Sequence, residues 1–350
     1  MGLIEDIRSE ASVLEGAIKS YETELKDRLK ECKKMIKGKE IFFTGMGTSY
    51  CISLAGSYFM SEKNLRSNAL ESGELYYYQS NTLPENAVIV VTSQSGEAAE
   101  PRLVAETMYG KVPVVAVTNN ENSTIAKNAD IVLPMLAGTE SMMSTKTYIN
   151  GLLGVWLVSE LAKQDSADIY ISDKIREIPK KIKSVIDSSF EQIDELIEAL
   201  GYFNTLIVLG RGPVLSNVHD AAMILKEATS ISAEGISGAY FRHGPVELTG
   251  PGCSIVAFAP SGRTTDLMVN TAYEASKVRS RVLLFTDRQL DGNDNLKVFN
   301  MPAVDEALTP FLYILPIQVI STKMAVMSGK VKDSEIGILY RVGKTIDKEV

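Results

Sequence analysis

The sequence contains few cysteines, and their arrangement excludes a disulfide-based fold. Its 350 residues include three of them, Cys32, Cys51 and Cys253, which are widely spaced and form no CxxC pair. Secreted domains that depend on disulfides carry an even and dense set of cysteines. The first residues are charged where a secretion signal needs an apolar segment. We therefore expect a reduced protein with a cytoplasmic location.

Positive charge and histidine are also scarce. The chain has 36 lysines and arginines against 44 aspartates and glutamates, which gives a formal net charge of −8. A phosphate-backbone partner needs a clustered positive surface, so we expect no nucleic-acid partner. The two histidines, His219 and His243, are far apart in sequence, and with the dispersed cysteines they offer no metal-ligand spacing. We predict no metal site.

Long apolar runs are missing as well. The longest one near the C-terminus, "PFLYILPIQVI", is interrupted by Pro316 and is far short of the ~20 residues that cross a bilayer. We expect no membrane-spanning segment. At about 150 residues per domain, the chain has room for two domains with substantial cores.

A regular alternation of short β-rich runs and helical patterns is present. After a charged helical segment, three apolar runs each end in a turn before a helical stretch: "KEIFFTGMGTSY", "NAVIVVTSQSGE" and "VPVVAVTNN". Apolar runs that alternate with helices are typical of βαβ units, whose parallel sheet is buried on both faces. The sequence predicts a doubly wound α/β domain.

The same order of runs occurs a second time downstream. Gly45 and Gly210 lie 165 positions apart in corresponding turns, and Gly96 and Gly262 lie 166 apart. Offsets that agree this closely indicate an internal repeat, although any two α/β domains look alike at this level. We predict two tandem flavodoxin-like domains, divided as follows: an N-terminal helical segment at 1–37, a first domain at 38–165, a helical connector at 166–200, a second domain at 201–330 and a C-terminal tail at 331–350.

Hydroxyl groups are concentrated in two turns of the first copy. In parallel α/β sheets, ligands bind beyond the carboxyl ends of the strands, where the next helix offers N–H groups and a positive dipole end to an anion. Gly96 allows the backbone to close around an oxyanion. We predict a phosphate site formed by the polar side chains of these turns, namely Thr48, Ser49, Ser93, Gln94 and Ser95.

Two other interpretations of these turns remain open. Serine and threonine most often cap helices, and capping alone would account for either turn. A dinucleotide-binding turn is less compatible, because Tyr50 stands where the third glycine of G-x-G-x-x-G belongs and no P-loop lysine follows. The corresponding turns of the second copy, "LGRGPV" and "APSGRTTD", have fewer hydroxyls near the glycine. We expect that copy to have lost the phosphate site.

Several motifs occur in a fixed order along essentially the whole chain: "GMGTSY", "TSQSGE", "STKTY", "LKEATSISAEG", "FRHGP" and "GKTIDKEV". In this combination the chain resembles the tandem sugar isomerase (SIS) domains of the isomerase half of glutamine:fructose-6-phosphate amidotransferase and of its stand-alone deaminase and deglycase relatives. The resemblance implies a sugar-phosphate substrate and no cofactor. It also adds Ser144 and Thr145, from "STKTY", to the phosphate-binding residues.

Three further residues receive catalytic roles from the resemblance. Glu227 of "LKEATS" would be the base that moves a proton between C1 and C2, a task suited to a carboxylate. His243 of "FRHGP" would open the sugar ring and would reach the pocket from a neighbouring subunit, which implies a homodimer. Lys344 of the C-terminal segment would form an imine with the keto sugar.

The sequence departs from the family pattern at three places. Ala98 stands where the amidotransferase carries a threonine hydroxyl, the stretch from Glu140 to Lys146 is one residue shorter, and Tyr240 replaces a glutamate. These changes concern the orientation of the sugar. They leave the identity of the substrate open, but they do not touch the three catalytic positions.

The resemblance implies several reactions. Because this chain starts directly with a helix, without the glutaminase domain of the amidotransferase, we expect breakdown of an amino sugar rather than its synthesis. Our first expectation is deamination of glucosamine 6-phosphate, or a similar amino-sugar 6-phosphate, to a ketose 6-phosphate. A fructosamine 6-phosphate deglycase, a plain phosphosugar isomerase and a catalytically inactive sugar-phosphate sensor are the alternatives. A sensor would not need Glu227, His243 and Lys344.

Overall fold

The computed structural model describes residues 2–140, 143–165 and 169–328. Lys344 and the rest of the predicted C-terminal tail lie outside these residues. The described chain divides into two compact units, one with residues 9–140 and 144–179, the other with residues 2–8, 143 and 180–328. Each unit contains one parallel sheet. The exact domain boundaries given above stay predictions.

The chain begins with two helices, α1 (Leu3–Glu22) and α2 (Lys26–Ile36), where the sequence predicted one helical segment. The Tyr21 hydroxyl donates a hydrogen bond of 2.7 Å to the Pro134 carbonyl, and burial raises the pKa of Tyr21. Cys32 on α2 is buried, which raises the pKa of its thiol to about 12. All three cysteines are buried and free, so none is exposed for disulfide exchange.

Five parallel strands form the sheet of the first unit: β1 (Glu40–Gly45), β2 (Ser67–Glu71), β3 (Ala87–Ser93), β4 (Val114–Thr118) and β5 (Ile131–Pro134). Their order in the sheet is β2-β1-β3-β4-β5. β3 is buried along its whole length, as expected for a central strand that helices cover on both faces. This strand order is the flavodoxin-like one.

Helices cover both faces of this sheet: α3 (Thr48–Glu62), α4 (Ser72–Glu74), α5 (Ala99–Met108), α6 (Thr124–Lys127) and α7 (Lys146–Lys163). A π-helix at Leu75–Gln79 and a 3-10 helix at Ser80–Thr82 follow α4. Successive residues of β1 pack on opposite faces of the sheet. Phe42 joins the apolar cluster that includes α5, whereas the Phe43 ring contacts α3 at Gly56.

Three helices follow the first domain: α8 (Asp173–Arg176), α9 (Ile178–Glu191) and α10 (Ile193–Leu200). They lie within the predicted helical connector, whose bounds stay a prediction. α9 and α10 have apolar residues at helical intervals between charges, which is the pattern of helices with one buried face. Leu196 and Leu200 of α10 are buried, and α10 packs against strands of the second unit.

The second unit repeats the arrangement of the first. Its strands are β6 (Thr205–Gly210), β7 (Ala233–Ser237), β8 (Cys253–Phe258), β9 (Arg281–Thr286) and β10 (Leu296–Asn300). The sheet order is β10-β9-β8-β6-β7 with every pairing parallel. Read from β7, this is the order of the first sheet. The prediction of two tandem doubly wound α/β domains is confirmed.

The helices of the second unit are α11 (Leu215–Thr229), α12 (Gly238–Phe241), α13 (Thr265–Lys277), α14 (Pro310–Tyr313) and α15 (Leu315–Met327). Short 3-10 helices lie at Gly212–Val214, Pro245–Leu248 and Glu306–Leu308. α11 packs against β6, β7 and α15. A methyl group on Gly235 would lie 2.6 Å from the Val218 carbonyl oxygen, so β7 and α11 are in direct backbone contact.

The apolar stretch near the C-terminus is longer than the sequence indicated. Glu306–Met327 forms a helical segment of 22 residues that is apolar and long enough to cross a membrane by length and composition alone. Pro316 lies at the start of α15, where a missing N–H costs nothing, and therefore does not end the segment. Because 83% of its apolar window is buried within the protein, we assign it to the core of the second unit.

Gly45 at the end of β1 provides a test of this packing. A methyl group at this position would lie 2.6 Å from the backbone of Ser49 on α3, so Gly45→Ala should lower the free energy of unfolding by about 1–3 kcal/mol. Gly73→Ala is the matched control, because its methyl group would meet only the Glu100 side chain, at 3.7 Å. Urea unfolding followed by circular dichroism compares the two variants. Equal stabilities would contradict the close approach of α3 to β1.

Candidate functional site

The carboxyl ends of β1 and β3 lie side by side at the point where the strand order of the first sheet reverses. Thr44 of β1 pairs with Val91 of β3, whereas the chain passes from β1 to β2 on the opposite side before returning. The crevice at such a switch point is where open α/β sheets bind ligands. Both hydroxyl-rich turns predicted from the sequence are located here.

The first turn joins β1 to α3. Gly47 precedes the helix with a φ of 55° and provides no side-chain cap. The Ser49 N–H donates to the Met46 carbonyl at 3.0 Å and the Tyr50 N–H to the Gly47 carbonyl at 2.9 Å. Thr48 and Ser49 are the first two residues of α3, and both side chains are half-buried. Burial raises the pKa of Tyr50, and the negative charge of Glu71 acts in the same direction.

The second turn joins β3 to α5, and its serines hold the backbone in place. Ser93 Oγ accepts a hydrogen bond from the Gly96 N–H at 3.2 Å, and Ser95 Oγ accepts one from the Glu97 N–H at 3.1 Å. Gly96 has a φ of 67°, and a methyl group there would lie 2.0 Å from Ser123 Oγ. Only glycine fits this position, because both its φ and the space around it exclude a side chain.

The helix-capping interpretation is not borne out, because neither α3 nor α5 has a side-chain N-cap. The two serines instead accept hydrogen bonds from the backbone of the turn that precedes α5. A hydroxyl has one proton and two lone pairs, so accepting a bond leaves the proton available. Within the described part of the chain, neither Ser93 nor Ser95 donates its proton to another group. Both can do so to an oxyanion.

Gln94 and Glu97 complete this turn in different ways. The Gln94 side chain is exposed. The backbone carbonyl of Gln94 accepts the Asn119 N–H at 3.1 Å. Glu97 Oε1 accepts the Thr124 N–H at 2.7 Å, and this bond lowers the pKa of Glu97. The carboxylate is thus bound to the start of α6. In the described residues, no carboxylate accepts a hydrogen bond from the turn at 94–97.

The "STK" segment, which the family resemblance assigns to the phosphate site, is hydrogen-bonded to Glu140. Glu140 Oε1 accepts hydrogen bonds from both the N–H and the hydroxyl of Thr145, at 2.6 and 2.8 Å. Its other oxygen accepts the Thr147 hydroxyl. Because the Thr145 hydroxyl donates its proton to Glu140, Thr145 positions the start of α7 in this structure. Ser144, directly before it, is half-buried and stays a predicted phosphate ligand.

The equivalent turns of the second copy are filled by its own carboxylates. The Arg263 N–H lies 3.3 Å from both carboxylate oxygens of Glu306, and the Ser261 N–H donates to Asp287 Oδ1 at 2.7 Å. A methyl group on Gly262 would lie 2.2 Å from Glu306 Cδ. Glu306 and Asp287 thus accept N–H groups of the turn at which a second phosphate site would lie, and the loss of that site stays a prediction.

Glu227 lies in the last turn of α11 with an exposed side chain. Ser230 ends the helix in a left-handed conformation, with a φ of 55°, two residues after the buried Ala228. His219 lies near the start of the same helix and is half-buried. Burial lowers the pKa of His219, and the positive charge of Lys226 lowers it further. Both effects favour the neutral imidazole, as for a histidine with a structural role.

His243 lies in a tight, exposed turn between α12 and the 3-10 helix that Pro245 begins. Ser237 Oγ accepts the Tyr240 N–H at 3.1 Å and caps α12. The His243 N–H then donates to the Tyr240 carbonyl at 2.9 Å, and Gly244 follows with a φ of 124°. The backbone is thereby fixed while the imidazole extends outward.

The structure distributes the predicted site residues over its two units. It brings together five of them at one sheet edge of the first unit, namely Thr48, Ser49, Ser93, Gln94 and Ser95. It places Ser144 and Thr145 before α7 of the same unit, and Glu227 and His243 in the second unit. Sequence reasoning missed the roles of Glu140 and Glu306, since neither stands in the turn to which it binds.

Comparison with known sequences identifies the family. The SIS domain model matches residues 34–160 and 203–328. Glutamine–fructose-6-phosphate aminotransferase [isomerizing] of Thermococcus kodakarensis is 31% identical over 304 residues, which cover 84% of this chain and 50% of that protein. The chain thus spans about half the length of this relative, so activity does not transfer with the match.

Solved structures agree on the fold. The C-terminal domain of glucosamine-fructose-6-phosphate aminotransferase from Francisella tularensis matches with a TM-score of 0.81 and 21% identity, covering 93% of this chain and 96% of that one. A glucosamine-6-phosphate deaminase from Thermotoga maritima matches with a TM-score of 0.77 and 20% identity, covering 97% and 98%. The repeated flavodoxin-like sheets and the two family matches along the sequence establish that this chain belongs to the SIS domain family.

Proposed function

We propose that this protein is a phosphosugar enzyme that binds one sugar 6-phosphate at the switch point of its first domain. The observation that carries the proposal is the contrast between the two copies. In the first copy, the Ser93 and Ser95 hydroxyls donate to no acceptor among the described residues, and no described carboxylate accepts a hydrogen bond from the turn at 94–97. In the second copy, Glu306 and Asp287 accept the corresponding N–H groups. The hydroxyls suit a phosphate because charge-assisted hydrogen bonds are strong.

The proposed reaction is deamination of an amino-sugar 6-phosphate. His243 protonates the ring oxygen and the ring opens to the aldehyde. Glu227 removes the proton from C2 and returns it to C1. The 2-amino aldose thereby becomes the imine of a 2-ketose. The C2 imine is then exchanged onto Lys344, which releases ammonia, and water hydrolyses the protein-bound imine to a ketose 6-phosphate. The balance needs one water and no oxidant, reductant or cofactor.

Lys344 fits this sequence as the amine that exchanges with the C2 imine. Attack by a neutral lysine amine releases ammonia and forms a protein-bound imine, which water hydrolyses to the ketose. This chemistry accepts other leaving amines as well. A fructosamine 6-phosphate deglycase therefore remains the alternative, and Ala98 in place of a threonine gives room at the sugar. Among the similar structures, the Thermotoga maritima protein is named for deamination, which favours the first assignment.

A homodimer and a cytoplasmic location belong to the same proposal. Tyr240 and Leu248, on either side of His243, are 65% and 50% exposed. A groove of about 400 Å³ lies next to them, between residues 241–249 and α13. Exposed apolar side chains beside a fixed imidazole suit a contact with a second copy, which would then receive His243.

The phosphate placement is tested by Ser95→Ala, with Ser261→Ala as the matched control in the second copy. Loss of a hydrogen bond to a charged group costs about 1.5–3 kcal/mol, so Ser95→Ala should weaken binding of fructose 6-phosphate at least about tenfold. Isothermal titration calorimetry measures the affinity. Ser261→Ala should leave it unchanged. If the two variants behave in the opposite way, the phosphate lies in the second domain.

The base is tested by Glu227→Gln, with Glu234→Gln on β7 as the control. The amide cannot accept the C2 proton of glucosamine 6-phosphate, so exchange of this proton with deuterated water should stop. Binding of fructose 6-phosphate should persist. NMR follows the exchange. Retention of the wild-type exchange rate would remove Glu227 from the mechanism.

The same variant tests the origin of His243. If Glu227 and His243 of one site come from different chains, an equal mixture of the inactive Glu227→Gln and His243→Ala proteins regains about a quarter of the wild-type activity. Half of the dimers then contain one chain of each variant, and one of the two sites in such a dimer is intact. Both residues coming from one chain would leave the mixture inactive.

The imine is tested by reduction with borohydride in the presence of fructose 6-phosphate. An adduct should form on Lys344, and mass spectrometry of the digest locates it. Lys344→Arg should abolish both the adduct and the release of ammonia, because a guanidinium does not form an imine. Lys348→Arg, four residues further on, should retain both. Full ammonia release by Lys344→Arg would exclude covalent catalysis by this residue.

A further inference from the structure

The carboxylate of Glu306 occupies the middle of the second domain's switch point. It begins the 3-10 helix at Glu306–Leu308, far in sequence from the turns that it contacts. On one side it accepts the Arg263 N–H of the turn after β8. On the other side, a methyl group on Gly212, in the turn after β6, would lie 3.6 Å from Glu306 Oε1. The side chain therefore fills the space between these two turns.

These two turns correspond to the two hydroxyl-rich turns of the first domain. Gly212 follows the end of β6 as Gly47 follows the end of β1, and both have positive φ angles. Gly262 follows β8 as Gly96 follows β3. In each domain the two turns flank adjacent strands, β1 beside β3 and β6 beside β8. Glu306 thus lies where the first domain would hold the substrate phosphate.

We propose that Glu306 is an internal anion that occupies the anion cradle of the second domain and restricts the protein to one phosphosugar site per chain. The number of sites rests on the function proposed above, whereas the cradle around Glu306 does not. Glu306 accepts the Arg263 N–H and lies in the space beside Gly262 and Gly212, and a phosphate would use the same N–H and the same space. Asp287, which accepts the Ser261 N–H at 2.7 Å, holds the same turn from its other side.

A further consequence concerns the segment that carries Glu306. Its carboxylate links the start of the 306–308 helix to the turn before α13, so an added phosphate would have to displace this segment as well as the carboxylate. Removal of the carboxylate alone should leave a vacant cradle, because Gly262 and Gly212 have no side chains that could fill it. The variant protein should then take up an anion from solution.

The test measures inorganic phosphate bound per chain by equilibrium dialysis, in the full-length protein. The wild type should bind one phosphate, and Glu306→Ala should bind two. Glu306→Gln is the matched control, because the amide has the same shape, still accepts the Arg263 N–H through its oxygen and keeps the cradle filled. It should bind one. Glu306→Ser provides a second truncated variant if Glu306→Ala does not fold, and it should also bind two.

A second readout is the melting temperature. Glu306→Ala and Glu306→Ser should melt below the wild type, and phosphate should raise their melting temperatures in a saturable manner beyond its effect on the wild type and on Glu306→Gln. Such a rescue would show that a free anion replaces the carboxylate. Truncated variants that gain neither bound phosphate nor this rescue would overturn the proposal.

The outcomes separate this inference from the proposed function. One phosphate on both wild type and truncated variants would leave the first-domain site intact and refute the role of Glu306. No phosphate on the wild type and one on Glu306→Ala would support the role of Glu306 and refute the first-domain site. Two phosphates on the wild type would refute the inference, because Glu306 would then not block the second cradle.

Discussion

The reversal of strand order in each parallel sheet is the constraint on which the rest of the molecule depends. Because β1 and β3 are neighbours while the chain between them passes through β2, the turns after both strands open at the same edge. Each turn leads into a helix, whose first N–H groups have no partner within the helix and carry the positive end of its dipole. The fold therefore creates a place for an anion before any side chain is chosen.

The two copies satisfy this place in different ways. The first has Ser93 and Ser95, whose oxygens accept backbone N–H groups and whose protons remain for an outside acceptor. The second provides the anion from its own chain, at Glu306. A similar solution occurs at the start of α7, where Glu140 accepts hydrogen bonds from Thr145. Internal carboxylates therefore reveal where this scaffold requires negative charge, and the turn at 94–97 stands out as one that accepts none among the described residues.

Much of the fold and part of the site could be predicted from the sequence. Short apolar runs predicted the strands because a parallel sheet covered on both faces has no polar side. The repeat was visible because Gly45 and Gly210 each end a strand in close contact with the following helix, a local requirement that both copies share. The hydroxyl-rich turns were visible because Ser93 and Ser95 act within three residues of their positions.

The missed features depend on contacts and local geometry that the residue pattern does not show. Glu306 binds a turn 43 residues away, and no local pattern marks it as different from any other surface glutamate. The hydrogen bond from Thr145 to Glu140, five residues earlier, was not expected, and a role of Thr145 at the phosphate stays a prediction. The length of the apolar segment at 306–327 was underestimated because a proline in a first helical turn does not interrupt a helix.

The most direct test of the central claim is a crystal structure of the Glu227→Gln variant with bound glucosamine 6-phosphate. The substitution prevents turnover, so that the sugar persists. The phosphate should lie between the turns at 46–49 and 94–97, within hydrogen-bond distance of the Ser49 and Ser95 hydroxyls, while Glu306 retains the cradle of the second domain. A phosphate bound beside Ser261 and Gly262, with Glu306 displaced, would contradict the assignment of the two copies.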